Sequence, residues 1–171
     1  MKMLIKILFL TLISLNSFAE DKVLTFASDP YCPWNCDDPV NKGIAVDILK
    51  AIFEPKGYKV EYINMPWTNA LKNVRQGKFT GVMIASLNSD TKDFIFPKTA
   101  IVDNNTYYAA QNKLSDQIKV VGSINDTHKN YIIFSPALKE SQALADMYDE
   151  GYKKLLDDGT VQKILVKYDV N

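Results

Sequence analysis

Apolar and polar positions alternate along this chain with two different periods. Val23–Ala27 is a short β-rich run that stops at Ser28, Asp29 and Pro30, which predicts a strand ending in a turn. Ile44, Ile48, Leu49 and Ile52 then recur at helical spacing, with Val46 and Phe53 widening the apolar stripe up to Pro55 and Gly57. Tyr58, Val60 and Tyr62 alternate with Lys59 and Glu61 as a second strand. Pro66 and Trp67 open a helix that carries Leu71 and Val74 and stops at Gly77, and Thr80–Ala85 supplies a third, mostly buried strand. Strands and helices taking turns at this spacing predict an α/β fold, a mostly parallel sheet flanked by helices.

The pattern changes in the second half. Thr106–Ala110 and Tyr131–Phe134 have strand character, a short strand is conceivable at Lys119–Val121, and the intervening stretch is polar. Beyond Ser135 and Pro136, Leu144, Met147, Tyr148, Gly151, Tyr152, Leu155 and Leu156 share one helical face that ends at Gly159. A last helix carries Val161, Ile164, Leu165 and Tyr168, so two helices close the chain.

The amino-terminal pattern is of another kind. Lys2 and Lys6, the apolar run Leu8–Leu15 and the small residues Ser17 and Ala19 form a secretory signal over residues 1–19, which places the mature protein in the periplasm, starting near Glu20. Its loss leaves 18 basic against 20 acidic residues, a balance that favours neither nucleic acid nor an anionic membrane. Residues 20–171 are expected to form one domain. Export makes a Cys32–Cys36 disulfide the expected state of the two cysteines, closing a five-residue loop worth roughly 2 kcal/mol in a chain-entropy model. A redox or zinc role is the weaker alternative, because three residues intervene and no second ligand pair exists.

Catalytic motifs are missing. His128 is the single histidine, no Ser/His/Asp set assembles around it, and phosphate-cradling glycine loops are lacking. No metal or cofactor is expected, the pair Asp37 and Asp38 reads as turn chemistry, and binding is better supported than catalysis. In open α/β sheets ligands settle beyond the carboxyl ends of the strands. Three segments are expected to converge there: Ser28–Trp34, Pro66–Asn69 and Ser86–Ser89. Tyr31, Trp34 and Trp67 offer stacking faces; Ser28, Asp29, Asn69, Ser86 and Asn88 offer hydrogen bonds, the mixture a small polar solute needs. Trp67 is equally well read as core packing. Asp29 is first of all a turn former and Asn69 first of all helix surface, whereas Tyr31 and Trp34, lying in a turn, have less core to enter.

Ala27–Cys36, Gly43–Leu49, Pro66–Leu71, Val74–Phe79 and Phe94–Pro97, taken in order with Phe134–Pro136 and the helices of Gly151–Tyr168, resemble the extracellular solute-binding proteins of family 3. These are the amino-acid type that serve ABC importers. The resemblance implies one lobe of a periplasmic-binding-protein-like type II fold, a small polar solute as ligand and a transporter permease as partner. In such proteins strands like Thr106–Ala110 and Tyr131–Phe134 lead out to a second lobe and back; here only residues 111–130 lie between them, so that lobe is expected to be reduced to a short connection. A single open wall is expected to bind weakly, or to pair with another chain or a second copy, or to be a remnant that binds nothing. The family's arginine clamp just before the Phe-x-Phe segment is replaced by Ser89–Asp93, where Lys92 supplies a charge but not a planar fork.

Overall fold

A computed structural model describes residues 22–103 and 129–170. The expected signal peptide, the strands expected at Thr106–Ala110 and Lys119–Val121, most of the connection at 111–130 and His128 lie outside the described residues.

Strand β1 (Lys22–Ser28) leads through a loop into helix α1 (Ile44–Phe53) and a 3-10 turn (Glu54–Lys56). Gly57 ends that turn and β2 (Tyr58–Asn64), α2 (Trp67–Arg75) and β3 (Gly81–Ser86) follow. After the short β4 (Val102–Asp103) the described chain resumes with β5 (Lys129–Phe134), α3 (Ser141–Asp157) and α4 (Thr160–Lys167). The strands form one sheet in the order β2-β1-β3-β5-β4. β1 runs parallel to β2 and β3, as the alternation of elements predicts, while β5 is antiparallel to both β3 and β4. The sheet is therefore mixed.

Side-chain alternation along the strands sorts the core into two layers. Leu24, Phe26, Val60, Met83, Ile132 and Phe134 face α1, α3 and α4, where Ile44, Ile48, Leu49, Ile52, Leu144, Tyr148 and Val161 complete the larger cluster. Val82, Ala85 and Ile133 face the other way, onto Leu71 and Val74 of α2 and Phe94. The phase of the β5 strand explains how Ile132 and Ile133 serve opposite layers. No described helix is long and apolar enough to cross a membrane.

Two short-range features set the shape around the carboxyl ends of β1 and β3. β3 carries a bulge between Val82 and Ala85 where it pairs with β5, and Ile84 within it has φ of 55°. A β-branched residue in the left-handed region is strained, so the bulge turns a half-buried isoleucine toward the sheet end at some conformational cost. Gly43, at the entry to α1, has φ of 111°, and a Cβ there would stand 2.5 Å from the Trp34 carbonyl oxygen. Only glycine lets the loop and the helix start touch so closely.

Candidate functional site

Parallel pairing of β1 and β3 brings Ser28 and Ser86 to the same end of the sheet. A crevice of about 230 Å³ opens there, lined by Ser28, Asp29, Tyr31, Trp67, Ile84 and Asn130. Each wall has a structural cause. The loop after β1 doubles back, with a Tyr31–Asn35 bridge and the Cys32–Cys36 disulfide, whose Cα atoms are 4.9 Å apart. Buried Asn35 braces it from beneath: its Nδ2 donates to the Asp29 carbonyl at 2.6 Å and to the Tyr62 hydroxyl at 3.2 Å. The Tyr62 hydroxyl donates in turn to the Ser28 carbonyl at 3.2 Å. Burial pushes the Tyr62 phenol above its ordinary value; the Asn35 hydrogen bond opposes this, while the Asp29 and Asp37 charges push in the same upward direction.

Trp67 is the first residue of α2 and stands half-buried against the crevice. Ser28 is 1% exposed, its hydroxyl 3.3 Å from the Met83 carbonyl and 3.4 Å from Asp29 Oδ1, so it ties β1 to β3 as well as lining the floor. Ser86 donates from Oγ to Asn130 Oδ1 at 2.9 Å, holding in place a residue that does line the crevice.

Four of the eight residues expected from sequence thus line the crevice: Ser28, Asp29, Tyr31 and Trp67. Trp34 must be corrected. It is 2% exposed and packs in the larger core cluster, because the hydrogen bonds Ile44 N to Pro33 O and Ala45 N to Trp34 O pull the turn down against α1. Asn69 is exposed on α2 and its carbonyl accepts from Asn73. Asn88 is exposed and makes a turn, its Oδ1 accepting from the Asp90 backbone at 2.8 Å and its Nδ2 donating to the Ser86 carbonyl. Neither lines the crevice. Sequence reasoning missed Ile84 and Asn130: the first depends on a bulge, the second on the antiparallel return of β5, which sets Asn130 opposite Ser86.

Arg75 lies outside the crevice. Its guanidinium forks onto Asp93, Nε to Oδ2 at 2.6 Å and Nη2 to Oδ1 at 3.0 Å, donates to the Asp90 carbonyl at 2.6 Å, and stands over the Phe94 ring. The hydrogen bond from Arg75 holds Asp93 below the usual carboxylate range, and Asp93 raises Arg75. A larger hollow of about 540 Å³ lies at the opposite end of β1, between Lys22, Thr25, Tyr58, Lys78, Phe79 and Glu140. No sequence candidate falls there, and it adjoins Lys22, where the described chain begins. Among the described residues, no three His, Cys, Asp or Glu side chains are grouped to hold a metal.

The model of the bacterial extracellular solute-binding proteins, family 3, matches residues 24–170. No curated protein matches the chain. The fold is similar to that of the probable amino-acid ABC transporter extracellular-binding protein ytmK from Bacillus subtilis. The two are 15% identical, with a TM-score of 0.61 over 87% of this chain and 98% of the other. It is equally similar to substrate-binding domain 2 of GlnP from Lactococcus lactis in its open conformation, at 15% identity and a TM-score of 0.61 over 87% of this chain and 96% of that one.

Proposed function

The chain belongs to the bacterial extracellular solute-binding proteins of family 3, and from that premise we propose that it binds a small polar solute between Tyr31 and Trp67 and delivers it to the permease of an ABC-type importer. One observation carries this reading. The ends of β1, β3 and β5 and the start of α2 converge on a crevice whose lining mixes two aromatic rings with a carboxylate, a hydroxyl and an amide, the composition of a small-molecule site. The one hydroxyl beside a carboxylate in that set, Ser28 next to Asp29, is 1% exposed, and no histidine or cysteine is among the described lining residues, which supports binding rather than catalysis.

The protein works in the periplasm, after removal of residues 1–19, as a single lobe. Only 25 residues separate Asp103 from Lys129, too few for a facing domain of ordinary size. An open wall leaves the ligand's hydrogen bonds in contact with water, so binding is weak. Calorimetry of the mature protein against pools of amino acids, amines, small organic acids and sugars tests this: heat at millimolar ligand, lost in Trp67→Ala, is the expected result. No heat in any pool leaves the second reading, a non-catalytic interaction protein, which the exposure of Leu87 and Tyr31 at this sheet end favours.

A further inference from the structure

We propose that the crevice selects an organic cation that carries no carboxylate, an amine or a guanidine, over the corresponding amino acid; this rests on the solute-binding reading above. Charge sets the preference. Asp29 is the single ionisable carboxylate among the described lining residues, exposed at the mouth of the crevice, and no lysine or arginine lines it. Tyr31 and Trp67 add ring faces, which attract a cation and are indifferent to its counter-charge.

Among the described residues a ligand carboxylate, by contrast, finds no partner of matching geometry in the crevice. A planar, two-pronged clamp requires a guanidinium, and Arg75 is the one arginine in the sequence. Both prongs of Arg75 are already engaged with Asp93, outside the crevice. Lys92 and Lys129 are exposed and neither lines the cavity. The amino end of α2 presents a partial positive charge near Trp67, equivalent to roughly half a unit, which is less than the full charge of Asp29.

Matched pairs of ligands test the proposal directly. Calorimetry with agmatine against arginine, cadaverine against lysine and tyramine against tyrosine is expected to show each amine binding at least tenfold tighter than its carboxylated parent. Asp29→Asn should erase that preference while leaving the melting temperature unchanged, and Asp29→Glu should restore part of it. Amino acids that bind as tightly as the amines, or a preference that survives Asp29→Asn, overturn the assignment and leave the solute-binding reading intact. Silence from all six ligands and from the wider pools removes that reading, and this one with it.

Discussion

Two tryptophans that look alike in sequence have opposite tasks. Trp34 is 2% exposed, with its Nε1 lacking a hydrogen-bond partner among the described residues, whereas Trp67 is half-buried at the crevice. Trp34→Ala is expected to cost about 3–5 kcal/mol in urea unfolding. Trp34→Phe should cost less, since it also removes an orphaned donor. Trp67→Ala should change binding far more than stability. Arg75 and Asp93 give a pH signature. Asp93 is held below its ordinary value when folded, so the pair stabilises fully above the unfolded value near about 3.9 and loses its contribution as pH falls through the lowered folded value. Both side chains are more than a third exposed, so screening limits the effect to under about 1 kcal/mol. Asp93→Asn should therefore lower Tm slightly at pH 7, with the difference from wild type vanishing as pH falls through the lowered folded value of Asp93 and shrinking in molar salt.

At the level of elements, the packing of α3 on α1 turns on one missing side chain. A Cβ at Gly151 would stand 2.6 Å from Ile52 Cγ2, so the glycine lets the two helices approach. Gly151→Ala gains about 1 kcal/mol of helix propensity but forces Ile52 out of its place, and the expected outcome is a net loss of about 1–2 kcal/mol by thermal or urea unfolding. Gly151 sits within the apolar stripe already visible in the sequence, as do Ile44, Ile48, Leu49 and Ile52 of α1, because helical periodicity records which face is buried. Periodicity says nothing of what long-range pairing brings together. Asn130 reaches the crevice only because β5 returns antiparallel beside β3, Ile84 only because β3 bulges, and the two-residue β4 is too short to leave a pattern. Trp34 misled for a related reason: a turn was expected to have less core to enter, yet its own backbone bonds to the start of α1 bring the core to it.

Across the whole molecule, the two apolar layers are filled from described elements alone, with α2 on one face of the sheet and α1, α3 and α4 on the other. The described elements accordingly complete both layers between them. Light scattering on the mature protein distinguishes the two functional readings: a monomer that binds solute fits the importer role, while a dimer lost in a Leu87→Asp variant fits pairing between copies through this end of the sheet. The edge formed by β4 and β5 has a consequence of its own. Val102 faces Asn130 and Asp103 faces Lys129 as antiparallel neighbours, so the chain departs and re-enters at positions only about 5 Å apart. Ends this close make a natural grafting port: a longer segment spliced between Asp103 and Lys129 is expected to leave the pairing of β1 with β2 and β3 unchanged, as a socket takes different fittings.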